Sequence, residues 1–148
     1  IKALNSGHYQ HAFNQCKLIA NHHPSLLASK CAGIAAEALG QLDLASLYLR
    51  AYLSSHPNDI ESLSKLAKVL GKSGKDKEAV ALLRRLALEK PNQLGLEKSR
   101  ILFNLGVAEA KLGNLDAAKA AWQKLDKSSK AYLEATELLD RLRDDDLN

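Results

Sequence analysis

Four glycines set a period in this chain: Gly7, Gly40, Gly74 and Gly113 stand 33, 34 and 39 residues apart. Self-similarity on that scale is the signature of stacked supersecondary units. Ala12, Ala45, Ala79 and Ala118 each follow their glycine by five residues, and Pro24, Pro57 and Pro91 each lie twelve residues beyond the first three alanines. A unit therefore reads as a helix, a glycine turn, a second helix and a proline stop, because proline lacks the N–H that would continue the ladder. One such hairpin leaves apolar surface in water, so several must stack to bury it. An all-α chain is the consequence.

Composition agrees with that reading. The 148 residues are 46% hydrophobic and 26% charged, within the range of one globular domain. Aromatics make up only 5%, against many Ala, Leu and Lys, which favours helices over strands. A net charge of +4 is mild and points to acidic partners without requiring nucleic acid. No apolar run approaches the roughly twenty residues that span a bilayer, so no membrane insertion is expected. Cys16 and Cys31 are too few for a structural zinc site and read as small core fillers; a disulfide between them stays open, and with it the redox compartment. The absence of methionine and an expected helix already under way at Ile1 point to a longer parent protein.

The stretch "LGKSGKD" from Leu70 to Asp76 looks like the end of a phosphate-binding loop. That loop needs a second glycine five residues before its Gly-Lys-Ser, and Leu66 stands there. It must also leave a strand, whereas Leu63, Leu66, Ala67 and Leu70 recur at helical spacing. Gly74 is instead a turn glycine.

The units resemble the tetratricopeptide repeat, whose pattern is W-x2-L-G-x2-Y, then A-x3-F, then P. Leu102, Leu105, Gly106, Ala118 and Trp122 carry the likeness in the fourth unit. Leu63, Leu66, Ala67, Leu70, Ala79, Leu83 and Pro91 do so in the third, and Ala32, Gly33, Ala36, Ala45, Leu49 and Pro57 in the second. The first unit keeps Ala12, Cys16 and Pro24 around a turn at Gly7, with residues 1–6 as the stump of its first helix. The resemblance implies a right-handed α-α superhelix, a solenoid of about four hairpins with a C-terminal capping helix. A single domain would span 1–143, with repeats at 1–24 (partial), 25–57, 58–91 and 99–126. The linker Asn92 to Lys98 holds about five residues more than the period needs, so a helix on one side of it should be extended.

Tyr132, Ala135, Leu139 and Leu142 place an amphipathic cap over 128–143, with Ser128 or Ser129 as its N-cap. Glu134, Glu137, Asp140 and Arg141 form its polar side. Residues 144–148 then read as a frayed acidic tail.

No catalytic constellation emerges, and no cofactor is expected. His23 and His56 sit one repeat apart beside the proline stops, where an imidazole suits a helix C-terminus. Neither has the neighbours of a metal site. The hydroxyls fall on turns and caps, so the chain is not read as an enzyme.

The resemblance also implies that first helices line a concave groove that takes peptides or partner segments. Lys65, Lys68 and Lys72 share one face of the third unit's first helix. Arg100, Phe103, Asn104, Val107 and Lys111 do so in the fourth, and Leu27, Lys30, Ile34 and Glu37 in the second. The candidate peptide-binding set is therefore Lys30, Lys65, Lys68, Lys72, Arg100, Phe103, Asn104, Val107 and Lys111: a basic stripe beside an apolar wall at Phe103 and Val107. An ordinary solvated lysine face is the alternative of equal weight. The expected ligand is an acidic or amphipathic segment of a partner protein. Chaperone tails are not, since Ile34 and Lys65 stand where that mode of docking wants asparagine. Phe103 is the only aromatic near the stripe, which argues against nucleic acid. Self-association through the acidic tail is a further expectation. The second functional reading is the repeat arm of a larger enzyme, such as a glycosyl- or sulfotransferase.

Overall fold

The computed structural model describes residues 2–23, 27–89 and 94–147, and every regular element among them is helical. The order is α1 (Lys2–His22), α2 (Leu27–Ala38), α3 (Leu42–Ser55), α4 (Ile60–Lys72), α5 (Asp76–Glu89), a 3-10 turn (Gly95–Glu97), α6 (Lys98–Lys111), α7 (Leu115–Gln123) and α8 (Lys130–Leu147). Two compact units divide the chain, Ile1–Lys75 and Asp76–Asn148. Within the first, α1 packs on α2, α2 on α3, α3 on α4, and α2 directly on α4. Within the second, α6 packs on α5 and α7, and α8 lies against both α6 and α7. Within each unit every helix thus meets its successor and, in the first unit, one first helix meets the next, packing consistent with a helical-repeat solenoid.

The glycine period has a structural cause at three of its four positions. Gly40, Gly74 and Gly113 take φ angles of 75°, 78° and 82°, the left-handed region that a Cβ disfavours. Each ends its helix in the same way. Gln41, Lys75 and Asn114 donate their N–H groups to Ala36, Leu70 and Glu109, each at 2.9 Å, while the glycines donate to Glu37, Gly71 and Ala110. That paired 6→1 and 5→2 closure is the Schellman motif. "LGKSGKD" is therefore a helix stop, with Lys72 as the last residue of α4 and Ser73 its C-cap.

Gly7 is the exception and corrects the expected turn. α1 runs unbroken through it for 21 residues, and Gly7 is not among the positive-φ glycines. A lone glycine weakens a helix by about 1 kcal/mol but does not end it without the Schellman bonds. The first repeat is one long helix. Pro57 follows α3 as expected, with His56 as C-cap donating to Tyr52 at 3.1 Å. Pro24 and Pro91 lie outside the described residues. In the described part of the long linker, the 3-10 turn at Gly95–Glu97 leads straight into α6, while Asn92 and Gln93 lie outside the described residues.

Hairpins close by fitting small residues against large ones. A Cβ placed on Gly33 of α2 would lie 2.7 Å from Leu49 Cγ of α3, and one on Gly106 of α6 would lie 2.0 Å from Trp122 Nε1 of α7. The indole is fixed as well as packed, donating to the Phe103 carbonyl at 3.1 Å. Leu102, Ala118, Trp122, Leu125 and Ala135 then form one buried cluster into which α8 contributes.

Cys16 and Cys31 are joined in a disulfide between α1 and α2, their Cα atoms 5.9 Å apart. Ser129 caps α8 by accepting the Tyr132 N–H at 3.1 Å. The expected frayed tail is corrected: α8 continues through Asp144 to Leu147.

Candidate peptide-binding face

On the face where α2 meets α4, four of the nine predicted residues come together. Glu37, near the end of α2, is only 6% exposed. Lys65, Lys68 and Lys72 reach it from successive turns of α4: Lys68 Nζ lies 2.8 Å from Oε1, Lys72 Nζ 3.5 Å from the same oxygen, and Lys65 Nζ 3.8 Å from Oε2. Burial works to raise the Glu37 pKa, but the Lys68 hydrogen bond and the three ammonium charges outweigh it and hold the carboxyl below its ordinary value of 4.5. The residue is therefore an anion at neutral pH.

Lys30 anchors the other end of the same helix pair. Its ammonium lies 3.0 Å from Asp59 and 2.8 Å from Glu61, and 5.8 Å from the Tyr52 ring centroid. Desolvation alone would lower the Lys30 pKa, yet its bonds to Glu61 and Asp59 raise it above 10.5. Asp59 is also the N-cap of α4, accepting the Ser62 N–H at 3.1 Å. Burial pushes its carboxyl up, and the Ser62 and Lys30 bonds bring it below 3.8.

The stripe is thus partly neutralised by residues the spacing did not pair with it. Four lysines face three carboxylates on this face. At the Glu37 end, however, three ammonium groups share one carboxylate, and the Lys68 and Lys72 side chains remain 40% and 50% exposed. Two positive charges there lack a matching anion among those contacts.

The other five residues lie on α6, in the second unit. Arg100 is 64% exposed and reaches Glu97 at 3.5 Å. Lys111 lies 3.8 Å from Asp76, and Asn104 is half-buried. Phe103 and Val107 do not form an open wall, because both pack partly against the cluster that α8 covers, beside Leu138 and Leu139. Phe103 instead borders a cavity of about 220 Å³ with Glu134, Glu137, Leu138 and Arg141 of α8. Two carboxylates and a guanidinium thus stand around a side chain that the spacing placed in an apolar wall.

The second unit holds a buried acid that the sequence reading did not single out. Glu109 is 1% exposed and is held by the Arg84 guanidinium of α5 and the Asn114 amide, the latter at 2.9 Å. Its only trace in the sequence was a charged residue at a core position of α6, where the family pattern has tyrosine. Among the described residues no group of three His, Cys, Asp or Glu is placed to hold a metal ion, and no helix is long and apolar enough to cross a membrane.

These features define a class: paired helices closed by Schellman glycines and stacked first helix on first helix. Residues 100–129, which are α6, α7 and the turn beyond, match the family model described as tetratricopeptide repeat. That segment is similar to a tetratricopeptide repeat, and the all-helical packing around it is consistent with a helical repeat. No curated protein matches it.

Proposed function

We propose that this chain is an interaction scaffold that holds an extended acidic or amphipathic segment of a partner protein on the faces of its first helices. The class supports the coarse part of that reading, since the tetratricopeptide repeat is a protein-interaction module. One observation carries the finer part: Lys65, Lys68 and Lys72 converge on a single buried carboxylate with their outer two head groups half in water. Glu37 holds the ammonium groups in place before any ligand arrives, which reduces the ordering cost of binding. An incoming carboxylate gains charge-assisted hydrogen bonds from groups already aimed outward. Arg100, Asn104 and Lys111 offer α6 a comparable polar set of its own.

Binding of acidic, neutral and basic peptides, measured by fluorescence anisotropy, tests this. The acidic peptides should bind best, and Lys72→Glu should weaken them at least tenfold while the chain stays folded by circular dichroism, its thermal midpoint falling somewhat because the new carboxylate stands beside Glu37. Equal binding of all three classes, or no effect of Lys72→Glu, rejects the face.

A further inference from the structure

The charge balance at Glu37 names a narrower ligand class, and this inference rests on the acidic-segment reading above. Three ammonium groups within 3.8 Å of one carboxylate leave two positive charges to be met from outside. One aspartate or glutamate supplies a single negative charge on two oxygens. A phosphomonoester carries about −1.5 to −2 at pH 7 and three acceptor oxygens. We propose that the Lys65, Lys68 and Lys72 cluster is a site for a phosphorylated serine or threonine on a partner segment.

The geometry fits a compact dianion better than a row of acids. The lysines sit at successive turns of one helix, and Glu37 draws their head groups to a single point. Lys68 and Lys72, the two more exposed, share the same Glu37 oxygen, so a phosphate above that point meets both. Lys65, at 19% exposed, supports from beneath. Glu37 is the positioning residue and does not touch the ligand.

The probe is one acidic peptide made with serine, phosphoserine or glutamate at its centre, titrated into the full chain at fixed salt. Phosphoserine should bind about tenfold or more tighter than serine, with glutamate in between, because doubling the charge roughly doubles the Coulomb energy at a partly exposed site. Lys68→Ala and Lys72→Ala should each remove most of that preference. Lys130→Ala, on a side chain 89% exposed at the start of α8, should leave it intact. Equal binding of all three peptides, still weakened by the lysine variants, overturns the phosphate inference and keeps the acidic-segment reading. Failure of every peptide to bind overturns both. Displacement of the phosphopeptide by an equal concentration of inorganic phosphate overturns a protein segment as the source of the anion.

Discussion

At the scale of single residues, two positions show how small groups decide large outcomes. Gly106 exists to admit Trp122: a methyl group there would meet the indole 2.0 Å away, and the indole is held in place by its bond to Phe103. Gly106→Ala should therefore destabilise the chain by about 1–3 kcal/mol, read from the urea midpoint. Gly33→Ala should destabilise it as well, since the new methyl would meet Leu49 Cγ at 2.7 Å and the Leu49 backbone nitrogen at 3.2 Å. Glu37 is the second position. Its pKa is lower folded than unfolded, so the stability it contributes is full above 4.5 and is lost as pH falls through the folded value. Glu37→Gln should cost about 1–3 kcal/mol at pH 7 and flatten the fall in stability below pH 4.5, measured by urea titrations at both ends. A steeper fall in the variant would contradict the sign.

At the scale of elements, the disulfide and α8 do what hydrophobic patterning does not. α1 is weakly amphipathic, with Leu18 and Ile19 more than half exposed, and Cys16–Cys31 ties it to α2. Closing a loop of that length, a sequence separation of 15, restricts the unfolded chain by about 3 kcal/mol. Reduction, or Cys16→Ser, should lower the unfolding free energy by about that much, seen as a drop in thermal midpoint that reductant no longer changes in the variant. α8 shields Trp122 and Leu125 through Ala135. The periodicity of Tyr132, Ala135 and Leu139 announced such a cap, and Ser129 was legible as one of two N-cap candidates. That the same helix would crowd Phe103 and Val107 was not legible, because which face a helix lays on its neighbour depends on residues distant in sequence.

At the scale of the whole molecule, a ligand read by lysines makes stability depend on both ligand and salt. An acidic peptide at a hundred times its Kd should stabilise the chain by about 2.7 kcal/mol, visible as a rise in thermal midpoint. Raising ionic strength from 0.1 M to 1 M shortens the Debye length from about 10 Å to 3 Å and should remove most of that rise. A midpoint shift indifferent to salt would argue for apolar recognition instead.

The sequence by itself determined the helices, their stops and their pairing into repeats. Those depend on local chemistry: a left-handed φ at Gly40, Gly74 and Gly113, and apolar residues at 3.6-residue spacing. It also misread Gly7, because a glycine marks a turn only where neighbouring carbonyls close the Schellman bonds. Only the tertiary structure decided which charges meet. Glu37 and Lys72 are 35 residues apart and Arg84 and Glu109 are 25 apart, and nothing in either local pattern shows which cation meets the acid. A lysine stripe looks the same in sequence whether it faces water or a hidden carboxylate. The energy of a charge depends on what lies within a few ångströms of it, and that neighbourhood comes into being only when α2 packs on α4.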